Sequence, residues 1–178
     1  RIYFTRDRNQ VPNIYQQQLS SINTQQFIGE QGDAKQPALS PDQTKLAFVF
    51  YGHDAQGDVC LQTIGEDEIR CITNKNSADS SPFWIGNNEL GYLRRDGIDA
   101  KQNIVIHSLS DEKKQAIYSG IISSPNASTD GRYIIFNLIS NVTTGASSTD
   151  LEVPRMLSVY NRQNQQLVQP PKMDLPGF

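Results

Sequence analysis

The sequence predicts an all-β protein: a β-propeller built from four repeat units of about 44 residues each. Three observations predict it. Ile2, Leu46, Leu90 and Ile134 recur at a constant interval of 44, and Phe4, Phe48, Tyr92 and Phe136 keep the same interval two residues on. Each pair opens a short apolar run (Ile2-Tyr3-Phe4, Leu46-Ala47-Phe48, Leu90-Gly91-Tyr92, Ile134-Ile135-Phe136) with the composition of a strand. A strand-built period of about 40–45 residues is that of propeller blades, one four-stranded antiparallel sheet per repeat.

The units run roughly over 1–35, 36–80, 81–123 and 124–170 of one domain covering 1–178, followed by a tail at 171–178. Unit two is the clearest. A first strand over 36–40 is followed by the turn Pro41-Asp42-Gln43-Thr44, where Pro favours the second turn position and Asp bonds its own backbone. Strands over 45–50, 58–64 and 69–73 complete the blade. Unit three repeats the order with strands over 81–85, 89–93, 102–109 and 115–119, and with Gly86-Asn87-Asn88 as the shortened turn. Unit four reads as 124–127, the turn Ser128-Thr129-Asp130-Gly131, then 132–139, 156–160 and 166–168. Unit one lacks a first strand and starts directly at 1–5, followed by 13–16 and 25–28. The third strands open alike, at Asn13-Ile14, Asp58-Val59 and Asn103-Ile104. Side chains of this type end loops by bonding nearby backbone, and their recurrence favours that role over ligand contact.

The only cysteines are Cys60 and Cys71. If Gly65-Glu66 forms a two-residue turn, residue 60 faces residue 71 across a hairpin, as a hydrogen-bonded pair of the wider kind. A disulfide is expected there, with two buried thiols as the alternative. It would favour an oxidising, extracytoplasmic compartment. Of 178 residues, Lys and Arg number 16 and Asp and Glu 19, a net charge of −3 that argues against a nucleic-acid surface. No apolar run is long enough for a transmembrane helix. With Arg1 at the start, the chain reads as a processed or excised piece of something longer, any anchor lying outside it.

The segment Pro37-Ala38-Leu39-Ser40-Pro41-Asp42-Gln43-Thr44-Lys45-Leu46-Ala47-Phe48 resembles the P-x-W-S-P-D-G-K-x-I-A-F signature of TolB-like propeller repeats. Pro125 to Phe136 resembles it with Asn126-Ala127 and Thr129 as departures. Ser81 to Tyr92 keeps Trp84 at the aromatic place without Ser-Pro-Asp, and Arg1 to Phe4 matches only the end of the motif. The resemblance implies a propeller of bacterial envelopes, in the periplasm or otherwise outside the cytoplasm. It also admits the sensor domain of a membrane-anchored transcription regulator and the gating propeller of a prolyl-oligopeptidase-like serine peptidase. Because this repeat occurs in unrelated contexts, it is specific for fold and weak for function. The tail either closes a four-bladed ring by supplying the missing first strand or begins a further unit, and a fragment of a longer propeller is the expectation.

Catalytic signals are thin. His53 and His107 lie in different contexts without a partner at zinc-ligand spacing, and no nucleophile elbow or phosphate loop occurs. Asp54 with Asp58, and Asp96 with Asp99, read as solvated loop acids rather than a calcium loop. The chain is therefore expected not to be an enzyme and to hold no metal or cofactor. The long polar loops, 6–12, 51–57, 94–101 and 140–155, emerge on one face, where binding usually resides. Tyr51, His53, Arg94, Arg95 and Asp96 are the candidate partner-binding residues. The expected function is protein–protein interaction with another envelope protein or protein segment, with no nucleic acid bound and no membrane span within the segment.

Overall fold

The structure, a computed structural model, describes residues 1–8, 11–28, 32–74, 77–98, 101–139 and 155–168. The expected closing tail and nearly all of the 140–155 loop lie outside the described residues. Among the described residues, fifteen strands form four antiparallel sheets, each a simple meander in chain order. The first holds β1 (Ile2–Arg8), β2 (Val11–Gln17) and β3 (Thr24–Gln26). The second holds β4 (Ala34–Leu39), β5 (Lys45–Phe50), β6 (Asp58–Thr63) and β7 (Ile69–Cys71). The third is β8 (Ser77–Trp84), β9 (Glu89–Asp96), β10 (Gln102–Ser108) and β11 (Lys114–Gly120). The fourth is β12 (Ile122–Ala127), β13 (Tyr133–Ile139), β14 (Arg155–Asn161) and β15 (Gln166–Val168). The first sheet has three strands among the described residues, in keeping with a unit that lacks its first strand.

The 44-residue period has a local cause. In each of the last three sheets, two residues of the first strand oppose one of the second. The ladder shifts between Lys35 and Ala38, between Ser80 and Phe83, and between Ser123 and Asn126. The residues skipped are Gln36-Pro37, Ser81-Pro82 and Ser124-Pro125, and the ones they oppose are the repeating Phe48, Tyr92 and Phe136. Gln36, Ser81 and Ser124 take positive φ of 55°, 52° and 51°. A bulge of this kind bends the strand and moves the proline nitrogen, which has no proton to donate, out of the ladder. The first strands therefore continue across proline and begin before it, at Ala34, Ser77 and Ile122, earlier than the pattern of the sequence indicates.

Successive sheets pack face on face through three apolar layers. Sheets one and two share Ile14, Ile28, Leu46, Phe48 and Phe50. Sheets two and three share Ala47, Val59 and Leu61 against Trp84, Leu90 and Tyr92. Sheets three and four share Phe83, Leu93, Ile104 and Ile106 against Ile134, Phe136 and Tyr160. Alternating side chains on each strand thus serve two different layers, as the period of two requires. Polar ties between neighbouring blades join residues about one repeat apart. Ser81 N donates to Gln36 Oε1 (2.7 Å, 45 residues apart) and Trp84 Nε1 to Ala38 O (2.8 Å, 46 apart). Lys114 Nζ donates to Ile72 O (2.7 Å, 42 apart), beside an ion pair of Arg70 with Glu112. Those first strands β4, β8 and β12 stand side by side at the line where the sheets converge.

The Cys60–Cys71 disulfide is present, with Cα atoms 3.8 Å apart in the expected 60-to-71 register. The turn differs from the expectation. Glu66 N donates to Thr63 O, so the chain reverses at Ile64-Gly65 with Gly65 at φ 96°. Ile72 N donates to Val59 O, which leaves 60 and 71 as the closer, non-hydrogen-bonded kind of pair.

Candidate functional site

At the tight-turn end, the three first strands open into a cavity of about 390 Å³. Its walls are one short segment from each blade: Ala38-Leu39 of β4, Pro82-Phe83-Trp84 of β8 and Pro125-Asn126-Ala127 of β12. Pro41, Gly86, Ser128 and Thr129 form the rim. The prolines recur here because the bulge recurs, and each brings a preorganised apolar ring to the wall. Trp84 is the only tryptophan of the chain. It is held by its hydrogen bond to Ala38 O, which orients the indole between two blades.

The rim turns are rigid for reasons visible in the sequence. Ser40 Oγ donates to Asp42 Oδ1 (2.6 Å), and Thr44 gives the same oxygen its N–H (3.1 Å) and hydroxyl (2.8 Å). The Asp42 carboxyl is thereby lowered to about 2, the Ser40 hydroxyl being the largest cause. Ser128 and Asp130 repeat this in blade four (2.6 Å), and Asp130 is lowered for the same chief reason. Asn87 Oδ1 of blade three accepts from Asp42 N (3.1 Å), linking two rim turns. The recess therefore combines apolar, proline-bearing walls with rim turns held rigid by their own hydrogen bonds.

At the opposite end lie the residues that the sequence pointed to. Tyr51 and His53 sit in the loop after β5. Lys35 Nζ lies over the Tyr51 ring at 5.1 Å. His53 packs edge-on to Phe50 and places Nδ1 3.3 Å from Asp58 Oδ2. Arg94, Arg95 and Asp96 belong to β9, not to a loop, because Ser77, Ala78 and Asp79 of β8 pair with them. Arg94 is committed to the buried Asp79, with Nε to Oδ1 at 2.9 Å and Nη2 to Oδ2 at 3.2 Å. The hydrogen bond to Asp79 raises the Arg94 guanidinium above its ordinary value. Arg95 and Asp96 are exposed. Asp79 N also donates to Gly57 O (3.2 Å), so the structure does bring the 51–57 loop beside this end of β8 and β9.

The third-strand acids and amides act largely on backbone and neighbours. Asn13 Oδ1 accepts from Ile14 N (2.7 Å), and buried Asp58 receives Thr73 Oγ1 (3.4 Å). Likewise residues 6–8 and 11–12 belong to the paired strands β1 and β2, with Arg6 opposite Asn13 and Asp7 opposite Pro12. Among the described residues no three His, Cys, Asp or Glu side chains gather as a metal site, and Asp99 lies outside them. A second cavity, about 350 Å³ between sheets three and four, is lined by charges already paired, Arg162 with Glu89 and Lys113 with Asp111. No helix among the described residues is long and apolar enough to cross a membrane.

No family model and no curated protein matches the sequence. Solved structures do match in fold. TolB from Acinetobacter baumannii is 15% identical with a TM-score of 0.73, over 93% of this chain and 39% of that one. An oligogalacturonate lyase from Vibrio parahaemolyticus is 12% identical with a TM-score of 0.64, over 94% and 48%. A puromycin-hydrolysing peptidase of Mycobacterium tuberculosis is 16% identical with a TM-score of 0.61, over 86% and 23%. The chain spans less than half the length of each of these three. The expectation that the chain is not an enzyme is corrected by these likenesses. Lyases and peptidases carry the same architecture, so the repeat does not set this chain apart from enzymes. The fold itself is that of a TolB-like β-propeller.

Proposed function

We propose that this propeller module recognises another protein, or an extended segment of one, in a bacterial envelope, and that the segment docks in the recess where β4, β8 and β12 converge. The observation that carries the reading is the recess itself: about 390 Å³, walled by Pro82, Phe83, Trp84 and Pro125, with Pro41, Gly86, Ser128 and Thr129 at its rim. Apolar walls with a few polar groups at the rim suit an extended peptide with an apolar anchor. The Cys60–Cys71 disulfide supports an extracytoplasmic setting.

The test is site-specific photo-cross-linking in intact cells that export the protein, from Asn126 in the recess and separately from Arg95 at the other end. The reading expects a discrete polypeptide adduct from Asn126. An adduct from Arg95 alone moves the site to the face formed by Tyr51, His53, Arg95 and Asp96. Adducts from neither position overturn the reading.

A further inference from the structure

Of the two histidines, His107 on β10 is fully buried. Side chains alternate along a strand, so His107 falls on the side of Val105, in the layer between sheets two and three, while Ile104 and Ile106 serve the layer towards sheet four. Its Nε2 lies 3.0 Å from Glu112 Oε2, and its Nδ1 is buried with no hydrogen-bond partner. Glu112 crosses the junction to Arg70 of β7. Lys114, a cross-strand partner of His107, crosses it in the same direction to Ile72 O at 2.7 Å. The other cross-strand partner, Leu90, is apolar. Asp111 and Glu89 line the cavity on the far side of sheet three, paired there with Lys113 and Arg162.

Neutral His107 fits this setting in one tautomer, with the proton on Nε2 and donated to the carboxylate. A second proton has to go to Nδ1, where the closed junction offers no acceptor, and a buried N–H left unmet is costly. It also gathers three cations, His107, Arg70 and Lys114, around the single carboxylate of Glu112. Relief requires water at Nδ1. The movable wall is the end of the β10–β11 hairpin, residues 107–114. It is tied to sheet two by the Arg70–Glu112 pair, by the lysine–carbonyl bond and by the packing of Leu109, and both side chains of that ion pair are more than half exposed. The inner edges of the same two sheets are held separately, by Trp84 on Ala38 O and Ser81 N on Gln36. We propose that His107 is an acid-sensitive latch: its protonation releases the end of the β10–β11 hairpin from sheet two while the inner edges and sheet four stay folded.

Amide hydrogen exchange by nuclear magnetic resonance tests this on the 178-residue chain between about pH 7.5 and pH 5, the range in which ordinary histidines change charge. The other histidine, His53, lies at the opposite end beside Asp58. The reporters are the Ser108 N–H, bonded to Lys113 O at 2.9 Å, and the Leu109 N–H, bonded to Asn88 O at 2.8 Å. After correction for intrinsic rates, both should open more at the lower pH, by up to about thirty-fold, the ceiling set by an ordinary histidine value of 6.5. The Ser40 N–H of sheet two and the Arg162 N–H of sheet four, each bonded within its own sheet, should change less than about twofold. His107→Gln should remove the pH dependence at both reporters. Imidazole nitrogen shifts of the unaltered chain should place the proton on Nε2 at the higher pH, which keeps the test decisive if the variant does not fold. Four results each overturn the inference: no added opening at the reporters, an equal rise at all four amides, a rise that survives His107→Gln, or a proton on Nδ1 at the higher pH.

Discussion

Replacing Arg94 by Met leaves the Asp79 carboxylate buried without its counter-charge. In the intact protein that carboxylate receives two guanidinium bonds at 2.9 and 3.2 Å and one from Ser77 Oγ at 3.1 Å. The substitution removes the first two and keeps only a neutral hydroxyl. Stranding a buried charge in this way costs about 3–5 kcal/mol. For a chain of this size that lowers the melting temperature by roughly 6–20 °C. Urea denaturation followed by circular dichroism measures the loss directly. The double variant Asp79→Asn/Arg94→Met, with no stranded charge, should recover most of it. A loss below about 1 kcal/mol for Arg94→Met would mean that the pair behaves as an exposed ion pair. The reasoning that makes Arg94 a lock between β8 and β9 would then fail.

Four further outcomes follow from the same geometry. Gln43 holds φ 60° in the rim turn where blade four has Gly131 at 68°. A left-handed residue costs about 1–2 kcal/mol and glycine's added freedom about 0.5–1, so Gln43→Gly should stabilise by roughly 0.5–1 kcal/mol in urea titration. Gly91→Ala places a methyl group inside the ring of Phe83, and should destabilise by about 1–3 kcal/mol. Reducing Cys60–Cys71, 11 residues apart, should cost about 3 kcal/mol by loop entropy, measured with and without reductant. His107 is pushed below its ordinary 6.5, chiefly by burial and against the pull of Glu112, with Lys114 and Arg70 also facing it. The unfolded state then binds the proton more readily, so stability is full above pH 6.5 and declines as pH falls below it. His107→Gln should flatten that decline; an unchanged profile would remove His107 as its source.

The period was legible because the blade interface demands an apolar pair at one place in every repeat. The 60-to-71 register is as counting from Gly65-Glu66 gives it, although the chain reverses at Ile64-Gly65 and residues 66–68 lie outside the strands and make up the offset. Bulge-dependent features were harder to read. Proline at 37, 82 and 125 signals an interruption, and only the positive φ before each one shows that the strand runs on. That error displaced the starts of β4, β8 and β12, and it hid the pairing of Asp79 with Arg94, because residues 77–80 read as a connection between blades. Arg94, Arg95 and Asp96 consequently looked like loop residues. The recess has no long loop to mark it, and the recurring proline and Trp84 are its signal in the sequence. What a sequence pattern of this kind reports is which residues share a layer. It does not report which layer stays open.

Neighbouring blades meet through equivalent first strands, and the chain's single tryptophan sits on that junction. Nuclear magnetic resonance of the Trp84 indole N–H tests it most directly, because that proton bonds Ala38 O across the blade boundary at 2.8 Å. The account predicts slow solvent exchange and Overhauser contacts from the indole to Ala38 and Leu39. Rapid exchange with contacts confined to the indole's own sheet would contradict it.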